Sequence, residues 1–427
     1  MVLTGAKLLV LGVFLASYVL IILLYKHKLI VVAAAVAALL ALRVLSPLEA
    51  LRAVSWNVVL LYFGMLLVGE VFLYSRMPDY LATLFTSRAR GTAAAATILC
   101  LFTGLLSIAL ENVAVVLLVA PVAMSIARRS GINPVPLFIG MAISSNLQGA
   151  ATLIGDPPSM LLAGYARLSF NDFFIYSGRP GIFFAVQVAA LLSALVLLYF
   201  FKKNDRRMPS LERHSYDSLV PTLLIGLLVV ALVLGSSLKH NLEILAGLLC
   251  VLFGLASFLW YLAHSRSRHL KSFLKALDWQ TGLFLIGVFV LVQSLTAVGL
   301  LEDIAAWMQR VAGGRPLIVF LLLVWVSVGL SAFIDNVPYL MAMLPVVGLL
   351  AQRTAVEPYA LYIGLLLGAS VGGNITPIGA SANIVAMGIL KKHGYESRFF
   401  QFVRMGLPFT LVAVVASSLF VWLLFGR

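Results

Sequence analysis

The chain has 427 residues, of which 62% are hydrophobic and 11% charged, with a mean hydropathy of +1.06. A soluble domain carries about 25% charged residues, so soluble globular and disordered classes are excluded. Apolar spans of about 20 residues point to a polytopic membrane protein. The formal net charge of +14 does not indicate a nucleic-acid partner, because the Lys and Arg residues sit in short loops between apolar spans.

In chain order, apolar windows predict spans near 8–25, 29–46, 56–74, 136–165, 179–201, 219–236, 243–263, 280–298, 359–390 and 405–426. The first has no small-residue cleavage site after it and reads as a retained helix. Two further apolar stretches, about 92–129 and 315–352, are interrupted near their middle by Glu111-Asn112 and Asp335-Asn336. The longest polar stretch, 202–218, reads as a linker between 1–201 and 219–427. Cys100 and Cys250 lie inside apolar stretches, and no disulfide framework or Cys-based metal motif is present.

The two halves repeat. Glu111-Asn112-Val113 returns as Asp335-Asn336-Val337, and the register holds without a gap across 111–159. Matched pairs include Pro121/Pro345, Pro134/Pro358, Gly140/Gly364, Gly149/Gly373, Thr152/Thr376 and Gly155/Gly379, with Trp56/Trp279 and Gly64/Gly287 upstream. Low-complexity apolar sequence matches Leu and Val by chance, but rarely Pro, Gly and Thr in register. Internal duplication is a transporter signature. If the interrupted stretches are re-entrant hairpins, each half has five spans plus one hairpin, and the odd number of crossings inverts the second half. With both termini outside, the loops at 26–28, 75–91, 128–135, 201–218, 264–279 and 391–404 fall inside. They carry 20 of the 30 Lys and Arg residues, the expected positive-inside bias. The predicted fold is an all-α polytopic membrane protein of two inverted repeats, each with a hairpin and a broken helix, the latter at about 136–165 and 359–390.

Acids inside spans are rare because burying a charge in hydrocarbon is costly. Glu70, Glu111, Asp156 and Asp335 stand out. Glu111 and Asp335 occupy matching places, which argues for a shared central site that binds a proton or cation. They could also simply cap half-helix N-termini, and the two roles are compatible. Glu70 has Gln293 as its repeat partner, so it stands outside the symmetric pattern, as a polar contact between helices or part of a proton path. A second constellation runs from Ser144 to Ser159, with its counterpart from Gly368 to Asn383. Gly149, Gly155, Pro157, Gly372, Gly373 and Gly379 cannot continue a helix. Broken helices at membrane depth line cavities or are buried in protein, so Asn112, Asn146, Gln148, Thr152, Asn336, Asn374, Thr376, Ser381 and Asn383 are candidate substrate ligands. A kink that only shapes packing is the alternative.

The run Ala151-Thr152-Leu153-Ile154-Gly155-Asp156-Pro157-Pro158 resembles the signature of the arsenite permease and pigmentation P-protein branch of the ion transporter superfamily. Glu111-Asn112 and Asp335-Asn336 are similar to that branch's acid–Asn pairs, placed where related dicarboxylate transporters carry Ser-Asn-Thr. The resemblance covers nearly the whole chain. It implies inverted repeats, a homodimer through scaffold helices, and an elevator-like transport domain holding the hairpins and broken helices. The chain departs from the pattern at Gln148 and Ala150, where many relatives have Gly and Thr. Ser159 replaces the usual Asn after Pro-Pro, and Asn383 keeps it in the second copy.

Substrate chemistry follows from charge. Regions 111–165 and 335–390 contain only Arg128, Arg129 and Arg353, all in predicted loops. With three acids and no cation at hand, the site is expected to favour a cation or a neutral trihydroxyl solute such as arsenous acid over an anion. Carboxyls in low dielectric can take up protons near neutral pH, so Glu111 or Asp335 is expected to exchange a proton for substrate. The expectation is a non-enzymatic secondary transporter in a bacterial or archaeal cytoplasmic membrane. It exports arsenite and antimonite, driven by a proton or sodium gradient, without cofactor or metal. Sodium/proton antiport and organic- or inorganic-anion transport are the alternatives. No nucleotide-binding loop is present, although a separate soluble ATPase subunit is compatible with the pattern. An intramembrane aspartyl protease is disfavoured because Leu153 precedes Ile154-Gly155-Asp156 without the required Gly-x-Gly-Asp. A channel is disfavoured because a duplicated pair of broken helices predicts alternating access.

Overall fold

A computed structural model describes residues 5–24, 27–87, 89–203, 205–207, 215–237, 244–265 and 270–426. Residues 204 and 208–214 of the expected linker, and 266–269 of the expected charged loop at 264–279, lie outside the described residues. Among the described residues the fold is helical apart from one two-stranded ribbon, β1 (Ile175–Tyr176) with β2 (Arg179–Pro180), and an isolated bridge between Gly91 and Arg207.

The elements recur in order along the chain. The first series is α1 (Gly5–Leu23), α2 (Lys28–Ala41), α3 (Pro47–Ala53), α4 (Trp56–Tyr74), α5 (Met77–Thr86), α6 (Thr92–Ser107), α7 (Asn112–Ser130), α8 (Val135–Gly149), α9 (Pro157–Ala166) and α10 (Ile182–Lys202). The second is α11 (Val220–Ser237), α12 (Leu245–His264), α13 (Leu270–Ala276), α14 (Trp279–Ala297), α15 (Leu300–Val311), α16 (Pro316–Ser331), α17 (Asn336–Arg353), α18 (Pro358–Gly372), α19 (Ser381–Lys392) and α20 (Phe399–Phe425). Among the described residues, eight helices are long and apolar enough to cross a membrane by length and composition: α4, α7, α10, α11, α12, α14, α18 with its 3-10 extension, and α20.

The short helices α3, α5, α13 and α15 correct the sequence analysis, which left 75–91 and 299–315 as loops. They are too short and too polar for a hydropathy window. Helix α3 has its own start signal: the Ser46 hydroxyl accepts from Glu49 N, and the Glu49 carboxylate accepts from Ser46 N at 2.7 Å, a capping box. Helix α15 buries Leu301, Ala305 and Met308 while Ile304, Trp307 and Val311 face outward, the pattern of a helix lying at an interface.

Long-range hydrogen bonds sort the helix ends into two groups. At one end, Asp217 N donates to Ser75 O, Thr92 N donates to Arg206 O, and the Arg206 guanidinium donates to Ser130 O at 3.1 Å. Residues 92 and 130 are the outer ends of α6 and α7, so that helical pair leaves and returns at one end. At the opposite end, Lys7 pairs with Asp303 at 2.7 Å, Asn171 Nδ2 donates to Val233 O, the Gln309 amide donates to Arg353 O, and Arg179 donates to Leu424 O and pairs with Glu357.

Helices α4 and α12 cross with their backbones in contact. A Cβ on Gly64 would sit 2.3 Å from the Cys250 carbonyl carbon, and one on Gly254 would sit 2.8 Å from Gly64 O. Helices α8 and α18 lie at the centre. All of α8 except Pro136 is buried, so its polar side chains must find partners within the protein.

Candidate functional site

Each hairpin tip is a helix start. The α6–α7 turn ends on Glu111, whose carboxylate accepts from Ala114 N at 3.0 Å. The α16–α17 turn ends on Asp335, which accepts from Val337 N at 3.2 Å. Asp156 does the same for α9, accepting from Ser159 N at 3.0 Å and from the Ser159 hydroxyl at 2.7 Å. Glu111, Asp156 and Asp335 therefore all cap helix N-termini, where orphan N–H groups and the helix dipole favour a negative charge, whereas Glu70 lies within α4. Capping uses part of each carboxylate and leaves the rest for a ligand.

Two Thr clamps fix the tips onto the broken helices. The Thr152 hydroxyl donates to Ile108 O, and the Thr376 hydroxyl donates to Ala332 O. Both acceptors lie in the last residues before a tip. Glycine is required beside each clamp. A Cβ on Gly155 would lie 2.4 Å from Gly149 O and 2.8 Å from Ser107 O; one on Gly379 would lie 2.6 Å from Gly373 O and 2.9 Å from Ala332 O. The hydroxyls of Ser107 and Ser145 are 2.5 Å apart, while Ser331 donates to Ala369 O.

The two breaks meet through amides. Asn146 Nδ2 donates to Asn374 Oδ1 at 2.8 Å and to Asn383 Oδ1 at 3.0 Å, and Asn374 Nδ2 donates to Ile143 O. Asn383 Nδ2 closes the second break on Gly373 O and Thr376 O, both at 2.9 Å. At the equivalent place in the first break, Ser159 Oγ lies 3.2 Å from Gly149 O.

Between the tips lies a cavity of about 400 Å³, lined by Glu111, Asn112, Asn146, Asp156, Pro157, Asp335, Asn336 and Ser381 from the sequence-derived set. Residues that sequence reasoning missed complete it: Lys28 on α2, and Asp278, Gln280, Thr281 and Phe284 at the start of α14. Lys28 corrects the expectation that no cation is at hand. It was assigned to an interior loop, but only 8% of it is exposed; its Nζ donates to Thr281 Oγ1 at 3.3 Å and stands 5.0 Å from the Phe284 ring centre. Asp278 caps α14 by accepting from Thr281 N at 3.1 Å, and its carbonyl accepts from the Tyr62 hydroxyl. The only sequence signal for either residue was a helix start next to a span.

Some proposed ligands lie elsewhere. Gln148 closes a reciprocal amide pair with Gln187 on α10, at 3.0 and 2.8 Å. Thr152, Thr376, Asn374 and Asn383 spend their polar groups on the frame, and Glu70 lies outside the cavity lining. Gly149 and Gly372 are close-approach positions: a Cβ on Gly372 would meet Val328 O at 2.7 Å. Asn112 Oδ1 and Asp156 Oδ2 belong to the buried side-chain atoms with no hydrogen-bond donor at normal distance among the described residues. The two side chains stand together, since a Cβ on Gly149 would lie 2.5 Å from Asn112 Oδ1, 3.0 Å from Asn112 Nδ2 and 3.0 Å from Asp156 Oδ2. The Asn112 amide is thus placed to donate to the Asp156 carboxylate, and a ligand there would meet an amide and a carboxylate together. No group of three or more His, Cys, Asp or Glu side chains that could hold a metal ion exists among the described residues.

Comparison with known proteins places this architecture. The sequence pattern of the citrate transporter family matches residues 18–352 and 340–427. An uncharacterized transporter of Mycobacterium tuberculosis is 33% identical over 375 residues, covering 87% of this chain and 86% of the relative. The P protein of Mus musculus is 30% identical over 479 residues, covering 93% of this chain and 58% of that protein. The magnetosome protein MamN of Magnetospirillum gryphiswaldense is 28% identical, covering 89% of this chain and 90% of the relative. In fold, the chain is similar to the Alcanivorax borkumensis YdaH transporter, with a TM-score of 0.57 at 14% identity over 85% of this chain and 84% of that one. Helix content, coverage and sequence agree: the chain belongs to the citrate transporter family and is a multi-pass membrane transporter.

Proposed function

We propose that this protein is a proton-coupled secondary transporter that exchanges protons for a small inorganic cation, with sodium the first candidate. The observation that carries this reading is the cavity between the two acid-capped tips, into which the buried Asp156 carboxylate and the Asn112 amide face side by side. Four carboxylates line the cavity against one ammonium, Lys28. Protonation of Glu111 or Asp335 on one side of the membrane and release on the other would couple the solute to the proton gradient. Export of arsenite and antimonite is the second reading, supported by the carboxylate and amide oxygens that line the cavity, which suit the hydroxyl donors of arsenous acid. Lys28 and the match to the citrate transporter family favour an anion, the third reading.

The arrangement is read as two inverted repeats, 1–201 and 219–427, joined at 202–218, with hairpins and broken helices moving as an elevator-like unit. Support comes from the hairpin ends that return to one face and from clamps that recur in both halves. The basic end faces the cytoplasm in this reading, and both termini face outside a bacterial or archaeal cytoplasmic membrane. Helices α2 and α14 begin at the basic end, so the cavity is approached from the cytoplasm. Exposed Leu223, Leu227 and Leu234 on α11 and Leu252 and Leu259 on α12 are available to lipid or to a second copy in a scaffold homodimer.

The test is flux in sealed vesicles under an imposed pH gradient without ATP. Sodium, other alkali cations and arsenite are supplied separately, beside Glu111→Gln, Asp335→Asn and Lys28→Met. Sodium-dependent proton movement lost in the two acid variants supports the first reading. Proton-driven arsenite flux without a sodium requirement supports the second. Exchange unchanged in the double acid variant sinks the coupling assignment, and a strict need for ATP points to a soluble ATPase partner.

A further inference from the structure

The face of the molecule formed by α10 and α20 carries a groove unrelated to the central cavity. Its volume is about 440 Å³, and its lining is Leu195, Val196, Tyr199 and Phe200 on α10 with Pro408 on α20. None of these is charged. Leu195 and Tyr199 are more than 60% exposed, so the groove opens toward the surroundings of the helix bundle. Its origin is local. Pro408 sits inside α20, where it cannot donate to Arg404 O and its ring pushes the preceding turn away. The place on α10 that lies 224 residues earlier is Phe184, so this proline is not repeated there.

Two cations stand at one mouth of this groove. Lys203 follows Tyr199 by four residues, and its Nζ lies 4.8 Å from the Tyr199 ring centre and 5.7 Å from that of Phe200. Arg404 precedes Pro408 by four residues and is exposed. A spacing of four puts each cation on the same helix face as the groove residue beside it. Helix α10 ends and α20 begins at the end of the molecule that holds Arg206 and Ser130, so both cations crown the same mouth.

We infer that this groove binds one anionic phospholipid, with an acyl chain along Tyr199, Phe200 and Pro408 and its phosphate between Lys203 and Arg404. An uncharged groove ending in two cations matches a ligand with an apolar tail and an anionic head. The assignment is independent of what the transporter carries. It fits the proposed cytoplasmic position of this end, where the leaflet is negatively charged and each nearby Lys or Arg strengthens the attraction. A bound lipid there would bridge the two helices that close the first and second halves.

The full-length protein is purified in detergent and equilibrated with mixed micelles of phosphatidylglycerol and phosphatidylcholine, and retained lipid is counted by native mass spectrometry. The expected result is a preference for phosphatidylglycerol that falls by about fivefold for each charge removed in Lys203→Gln and Arg404→Gln. Leu195→Trp, an exposed position that fills the groove, should reduce retention of both lipids. Arg128→Gln, a cation at the same end but away from the groove, should keep the preference. Equal retention of the two lipids by the parent protein overturns the assignment. So does a preference that survives loss of both cations, or one that falls equally in Arg128→Gln. Saturable binding of glycerol 3-phosphate with no dependence on the groove would also overturn it, by showing a phosphate site rather than a lipid site.

Discussion

The first hairpin and its break share a frame with the second but are finished differently. Thr152 and Thr376, and Gly155 and Gly379, do the same work at equivalent positions, while Ser107 pairs with the Ser145 hydroxyl and Ser331 with the backbone of the equivalent Ala369. After the clamp the two part. The first break is closed by the Asp156–Ser159 pair, with the Asn112 amide beside the carboxylate. In the second, Ala380 replaces the acid and Asn383 fills its own break with two donated bonds while accepting from Asn146. The first break holds a buried carboxylate, and the second fills the equivalent place with amide bonds. A duplicated frame thus carries two different closures.

The sharpest way to break this comparison is Asp156→Asn beside Ala380→Asp. Losing the Asp156 charge should lower exchange by about two orders of magnitude, the size seen when a positioned acid–base or charge-stabilising group is removed. The inserted acid at 380 should not restore it, because Asn383 stands where Ser159 gives the Asp156 carboxylate its hydroxyl bond, and Asn383 is already bonded to Gly373 O and Thr376 O. Vesicle flux measures both, and equal effects would show that the halves are functionally equivalent.

Next in size is Asn383→Ser. It removes two bonds to Gly373 O and Thr376 O and strands part of the Asn146 amide. A cost of about 2–3 kcal/mol is expected, since buried groups left unsatisfied pay their desolvation. The converse, Ser159→Asn, should be far milder in a thermal-unfolding series in detergent. Matching losses would mean that Ser159 and Asn383 carry the same load.

The smallest effect is expected at the outer rim, where Lys7 ties α1 to α15. The hydrogen bond from Lys7 holds the Asp303 carboxyl below its ordinary range. A depressed folded-state value means that the contribution is complete above the unfolded-state pKa of about 4 and is lost as pH falls through the lower folded value. Asp303→Asn should therefore lower the melting temperature slightly at pH 7, and by progressively less as the pH falls below about 4. A difference that stays constant as the pH falls would assign the effect to packing. This rim contact tests whether the frame, unlike the central acids, tolerates loss of a charge.

Much of the architecture was legible in the chain. Apolar length gave the long helices, because burying about 20 residues in hydrocarbon needs that composition. The paired Pro, Gly and Thr residues marked the breaks because each does a backbone job that few other side chains can do. Glu111, Asp156 and Asp335 were legible as site candidates for their rarity in apolar sequence, and the structure places all three on one cavity. The short helices were not legible, since amphipathic segments such as α15 blend into loops when only mean hydropathy is read.

The sequence by itself determined a duplicated membrane transporter with two acid-capped hairpins facing two broken helices. Only the tertiary structure decided which polar groups remain for a ligand. Sequence spacing cannot say that Gln148 turns to Gln187, that Thr152 and Thr376 are consumed by backbone carbonyls, or that Asn146 reaches Asn374 and Asn383 across the halves. Nor can it bring Lys28 and Asp278 to the same cavity from helices far apart in the chain. The physical reason is that hydrogen-bond donors and acceptors are used up by whichever partner packs nearest. That partner is fixed by helix crossings, which depend on close contacts such as Gly64 against Cys250 rather than on local sequence pattern.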